Sequence, residues 1–82
     1  MNTIETPMQT IINKCKTLMP KEGEDYYYTL EDLVCAMQEM EASYEASMRR
    51  KEFGMAEWPF KRFFRLRDEF LSIAKEIATQ AQ

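Results

Sequence analysis

Histidine is absent from the 82-residue chain, which removes the commonest general base and the commonest metal ligand. A cysteine nucleophile would lack its usual imidazole partner. Glycine occurs twice, and neither copy sits in a phosphate-cradling loop; there is no C-x-x-C pair and no calcium loop of alternating Asp and Asn. The acidic residues between 22 and 32 match no ligand cage and read as a solvated loop. No catalytic, cofactor-binding or metal-binding residue is therefore expected, and the chain reads as a non-enzyme without a small-molecule substrate.

Long hydrophobic runs are missing as well. Nowhere are there the ~18 consecutive apolar residues of a membrane span, and the N-terminus lacks the basic start and apolar run of a secretory leader. A polar face that carries Glu69 and Glu76 beyond Arg65 also argues against an amphipathic membrane anchor. The expectation is a soluble cytoplasmic protein. Cysteine is scarce, and Cys15 and Cys35 have no close spacing; both are expected as buried or half-buried free thiols rather than a disulfide.

What is present favours helix. Three prolines and two glycines leave long uninterrupted segments rich in Glu, Gln, Met, Ala and Leu. The fold class expected is all-α: a single small three-helix bundle. A long antiparallel helical hairpin (about 29–53 and 59–79) carries a shorter N-terminal helix (about 6–19) packed across it. Met1–Glu5 is expected to fray. Thr6-Pro7-Met8-Gln9 then reads as a capping box with proline at the first helical position. Met8, Ile11, Ile12, Cys15, Leu18 and Met19 follow at helical spacing until Pro20 ends the segment.

An acidic, tyrosine-rich linker covers residues 20–28. Tyr26, Tyr27 and Tyr28 have β-propensity and are expected to lie extended across the helices. The other reading is an exposed recognition strip, and they form a possible secondary surface. Thr29 reads as the next N-cap, with Glu31 and Asp32 favouring the helix dipole. Leu30, Leu33, Val34, Met37, Met40, Tyr44 and Met48 form the apolar face of that helix, Glu45 is spaced to pair with Arg49, and Gly54 looks like the residue that stops it.

The densest apolar stretch is Trp58–Ala78, with the one tryptophan and four of five phenylalanines. Its apolar positions cover roughly half the helix circumference, more than the ~100° needed to face one neighbour. Two charges fall inside otherwise apolar faces, Glu41 and Arg67. A turn centred between residues 55 and 56 would bring them within a helical turn of each other, which predicts a structural ion pair.

Charge is unevenly spread. Residues 22–45 hold eight acidic groups and no basic one, whereas residues 49–67 hold seven basic groups against Glu52 and Glu57. Arg49, Arg50, Lys51, Lys61, Arg62 and Arg65 form a candidate partner-binding basic patch at the turn end of the hairpin. Lys61 and Arg62, placed in a first helical turn, are unfavourable by about 0.3–1 kcal/mol each, a sign that something other than folding keeps them. The expected function is a non-catalytic protein-binding module: a small cytosolic adaptor, regulator or inhibitor that docks on a protein partner, with a homodimer possible. The alternative is a nucleic-acid-associated protein using the same patch; the net charge of −3 and the acidic half weigh against it.

Overall fold

The computed structural model describes residues 5–80; the expected fraying of residues 1–4 lies outside them. Three helices follow one another, α1 (Pro7–Thr17), α2 (Tyr27–Arg49) and α3 (Phe53–Gln80). Helices α2 and α3 form the long antiparallel hairpin, and α1 touches both. This is the expected three-helix architecture, with several boundaries moved.

The start of α1 is as the sequence dictates. The Gln9 N–H donates to the Thr6 hydroxyl at 3.1 Å, and the Gln9 side-chain oxygen accepts from the Thr6 N–H at 3.0 Å. Both bonds satisfy groups that a helix end otherwise leaves unpaired. The helix ends at Thr17, before the proline, because the Leu18 N–H turns back to the Cys15 carbonyl at 3.0 Å. Leu18 is consequently exposed, and Met19 takes the half-buried place.

The tyrosine segment is a correction. Instead of an extended strip, residues 21–26 form tight turns: Gly23 has φ 95° and Tyr26 φ 70°. The Glu24 carboxylate accepts from the Lys21 N–H at 3.1 Å, which offers the chain a turn before strand geometry can form. Helix α2 then starts at Tyr27, two residues before the expected Thr29 cap, with no side-chain cap at all.

The larger correction concerns the hairpin turn. Gly54 does not end α2; it is the second residue of α3, and the turn lies at Arg50–Glu52. Lys51 takes the left-handed conformation, φ 59°. Its N–H reaches the Met48 carbonyl at 3.0 Å, and the Glu52 N–H reaches the Ser47 carbonyl at 2.9 Å. That pair of bonds is a Schellman motif. The Glu52 carbonyl then accepts from Met55 and Ala56, both at 3.1 Å, and starts the next helix at once. Pro59 consequently sits seven residues into α3 rather than at its first position, and it is buried.

Moving the turn resets every partner across the hairpin. Tyr44 faces Phe60, ring centroids 5.6 Å apart, rather than Arg67. The core gathers three short runs: Met8, Ile12 and Cys15; Leu30, Val34 and Met37; Phe63, Leu66 and Phe70. Phe63 and Phe70 are fully buried, each contributing about 1.5–3 kcal/mol by leaving water.

The molecule is long for its size. Its radius of gyration is 14.3 Å, against roughly 12 Å for a compact chain of this length. The cause is a mismatch of lengths: α3 with 28 residues spans about 42 Å while α1 with 11 spans about 16 Å. Helix α1 runs from Glu41, whose carboxylate accepts the Thr6 hydroxyl at 3.2 Å, toward Val34 and Glu31. It covers one face of the open half of the hairpin and leaves the turn half without a third helix.

Both glycine corrections carry a measurable consequence. Lys51→Gly should stabilise the protein by about 0.5–1 kcal/mol by relieving a left-handed lysine. Gly54→Ala should add a similar ~0.5–1 kcal/mol, since a Cβ there meets nothing within 4 Å. Urea denaturation reads both. A loss of stability at Gly54→Ala would mean that Gly54, not Lys51, occupies the turn.

Candidate functional site

The six cations of the expected basic patch share the turn half of the hairpin, but they do not form one cluster. Arg49 ends α2, Arg50 caps it and Lys51 is the left-handed turn residue, whereas Lys61, Arg62 and Arg65 project from the third and fourth turns of α3. The helix-dipole penalty argued for Lys61 and Arg62 therefore disappears, because the effect fades within the first turn. Lys61 has a local partner, Glu57 at 2.7 Å, and the ammonium holds the Glu57 carboxyl below the usual carboxylate range. Arg50 lies 3.9 Å from Glu52 and donates to the Ala46 carbonyl at 3.4 Å. Arg49, Lys51, Arg62 and Arg65 are exposed, and none has a carboxylate within 4.0 Å among the described residues. The expected Glu45–Arg49 pair is thus not formed.

Nor is the expected Glu41–Arg67 pair. Glu41 holds the cap of α1 through Thr6. Arg67 binds Asp68, its Nη2 2.9 Å and its Nε 3.1 Å from one carboxylate oxygen, and lays its guanidinium over the Phe64 ring at 4.9 Å from the centroid. The expected pair depends on a turn at residues 55–56. The shifted turn changes their levels little, but α1 lies between them: Glu41 lines the groove with Gln9, Ile12 and Asn13 on one flank of α1, and Arg67 lines the one with Ile11, Lys14 and Cys15 on the other.

The tyrosines lie at the opposite end of α2 from the cations, so the two candidate surfaces are not brought together. Tyr28 and Tyr26 are exposed, Tyr27 is half-buried, and the rings of Tyr27 and Tyr28 meet edge-on at 5.3 Å. The Glu31 carboxylate beside its hydroxyl pushes the Tyr27 phenol above the ordinary tyrosine range. The thiols differ in kind: Cys15 is buried and Cys35 exposed, both unbridged. The expected burial thus fails for Cys35, which lies exposed at the rim of the groove between α1 and α2, beside Lys16 and Met19. Burial pushes the Cys15 thiol up, against a smaller opposing pull from Arg67 and Lys14.

Sequence reasoning missed the most unusual feature of the turn half. The side chains buried there are small, Ser47, Ala56 and Pro59. The large apolar ones face out: Met55 is 67% exposed, Trp58 65%, Phe53 60%, Phe60 42% and Met48 38%. A folded core normally sorts the other way, with bulky apolar residues inside. Together they expose on the order of 500 Å² of apolar surface, judged from typical aromatic side-chain areas.

These residues divide between two faces. On the α1 side, Tyr44, Phe60 and Phe64 form a ladder of rings with centroids 5.6 and 4.9 Å apart, continued by Phe63 at 5.3 Å in the core. Met48 and Phe53 flank it by helical spacing. Met55 and Trp58 fall on the opposite face, in line with Arg62. The wide apolar arc of α3 was the signal available in the sequence; placing Gly54–Trp58 in a loop concealed what it meant.

The surface offers shallow depressions. One between α1 and α2 is lined mostly by polar side chains including Gln9, Asn13, Lys16 and Gln38, and a second by Lys16, Met19, Val34 and Cys35. Among the described residues, no three acidic or cysteine side chains gather as a metal site, and no helix is long and apolar enough to cross a membrane. What the turn half can do chemically is bury apolar rings against a partner while unmatched guanidinium groups meet its acidic groups.

Two outcomes test these placements. Arg67→Met should cost about 1 kcal/mol or less, the worth of a half-exposed cation–π contact, and a loss of about 3–5 kcal/mol in urea unfolding would restore the buried-pair reading. Thiol titration at about pH 8, near the ordinary thiol pKa, should show Cys35 reacting at once and Cys15 only after unfolding. Since folding raises the Cys15 pKa, its contribution to stability is complete below the ordinary thiol value and is lost as pH rises from there through the raised one. Equal rates for the two thiols would contradict the burial.

Compared with known proteins, the chain matches no family model, no curated protein and no solved structure.

Proposed function

We propose that this chain is a non-catalytic protein-binding module, a small cytosolic adaptor, regulator or inhibitor that docks on another macromolecule through the turn half of its hairpin. The inverted sorting of side chains there carries the reading: Met48, Phe53 and Phe60 stand outside while Ser47, Ala56 and Pro59 fill the interior. Apolar area of this size, if covered, is worth roughly 25 cal/mol per Å², before the costs of association. Aromatic and Met side chains are the types enriched at the centres of interfaces. The ring ladder Tyr44–Phe60–Phe64 is anchored to the core by Phe63, so a partner would meet a surface already in place. Such preorganisation lowers the entropic cost of docking.

Arg49, Lys51 and Arg65 supply long-range attraction for an acidic partner and orient its approach, while the acidic residues 22–45 repel it from the other end. One specific observation favours the nucleic-acid alternative: exposed Trp58 has Arg62 four residues and Arg65 seven residues ahead, a ring with cations beside it on which a base could stack. The chain's net charge of −3 weighs against that reading.

A pull-down from the native cell, comparing the natural chain with Phe53→Ala/Phe60→Ala and with Lys61, Arg62 and Arg65 changed to Glu, decides between them. Loss of one defined protein partner in the alanine variant, with the helical circular dichroism retained, supports the protein-docking reading. If the alanine variant captures the same proteins as the natural chain, that reading is wrong. A gel shift with single-stranded DNA or RNA at low salt, abolished in the Glu variant, would install the alternative in its place.

A further inference from the structure

Helix α1 covers only one side of the hairpin. Ile11, Lys14 and Cys15 of α1 line a depression with Arg67 and Leu71, which fixes that side of α3 as the front. On the back, a shallow depression is lined by Thr29 and Leu33 from α2 and by Glu69, Ser72 and Ile73 from α3. Extending those two lines at helical spacing gives Leu33, Ala36, Met40 and Ser43 on α2, and Ile73, Glu69, Arg62, Trp58 and Met55 on α3. Leu33, Ala36, Met40 and Ile73 pack against the core from this side while keeping part of their surface open. Met55 and Trp58 are the two most exposed apolar side chains of the turn half. No helix lies on this face among the described residues.

We propose that the occupant of the back face is a second copy of the chain, packed antiparallel about a two-fold axis. The polar groups of the face are self-complementary: Arg62 stands toward the turn and Glu69 seven residues away toward the open end. An antiparallel two-fold that sets Arg62 of one copy opposite Glu69 of the other forms that pair twice. The same operation sets Trp58 opposite Ile73. On α2 it sets Met40 opposite Ala36 and Leu33 opposite the exposed Ser43, in each case a large side chain against a small one. Parallel pairing would instead stack the two cationic turn ends on each other, which costs affinity.

Size agrees as well. The face is roughly 35 Å long and two helix widths across, about 20 Å, hence on the order of 700 Å² per copy. Each partner of a standard-size interface contributes about 800 Å². A two-fold closes after two copies, so the charge-polarised chain satisfies itself without growing into a filament. The product is a four-helix layer with an α1 on each outer side, and the ring ladder on the front remains open. This inference does not depend on the docking reading above: a chain that stays monomeric would leave the front surface as described.

Sedimentation equilibrium on the full chain tests the proposal. The natural chain should behave as a dimer at tens of micromolar. Arg62→Glu alone and Glu69→Arg alone should each weaken dimerisation at least tenfold, because each places two like-charged pairs across the interface. The double variant Arg62→Glu/Glu69→Arg should recover the natural affinity within about threefold. Both positions are exposed, and circular dichroism checks that the variants stay helical. Trp58, the one tryptophan, gives an independent readout, since its emission should shift to the blue as the dimer forms. A monomer at several hundred micromolar overturns the proposal. So does a double variant as weak as the singles, or a dimer that leaves Trp58 emission unchanged.

Discussion

Two backbone hydrogen bonds set the register on which everything else depends. The N–H groups of Lys51 and Glu52 close onto the carbonyls of Met48 and Ser47 and reverse the chain within three residues. A turn this short leaves the hairpin no slack. Once it is fixed, Phe63, Leu66 and Phe70 must lie at the level of Leu30, Val34 and Met37, and the pocket they leave is closed by Met8, Ile12 and Cys15 of α1. The energetic weight sits in those side chains, but the turn decides which of them meet. Its cost is a lysine held in the left-handed region, where glycine would be at ease.

The core so formed is displaced toward the open half of the molecule. Helix α1 is too short to follow the hairpin to its turn, and the sequence does not supply large inward-facing residues there. Ala56, Pro59 and Ser47 let the two helices approach closely, which leaves no interior space for Phe53, Met55 or Trp58. Their exposure is a direct result of that close approach. The proposed docking role rests on this exposed apolar surface and on the guanidinium groups beside it that lack carboxylate partners among the described residues.

Much of the architecture was legible in the residues alone. The capping box at Thr6–Gln9, the helical spacing through α1, α2 and α3, and the antiparallel pairing all follow from local pattern. The hairpin turn was not legible. Glycine is the usual residue at a helix stop, so Gly54 drew the boundary to itself, and nothing local marks Lys51 as left-handed. That error of four residues propagates: Phe60, not Arg67, is opposite Tyr44, a displacement of about two helical turns. The dipole argument for Lys61 and Arg62 fails for that reason, whereas the Glu41–Arg67 pair fails because α1 seats between the two charges. The tyrosine segment failed differently, because strand propensity needs a neighbouring strand and the described residues offer none. For the candidate site, the cations were readable and their aromatic neighbours were not.

The uneven placement of the core also divides the molecule by rigidity. Opening of a protein is local, and its free energy follows the apolar contacts that hold each segment. The half that contains Phe63 and Phe70 is tied by all three helices, whereas the turn is held by small side chains and two backbone bonds. Amide protons near Met48 and Met55 will therefore exchange by excursions that leave the core intact. The ring ladder held by Phe63 thus stays fixed while the turn beyond it keeps some freedom, and a partner bound at the turn would slow exchange there without touching the interior.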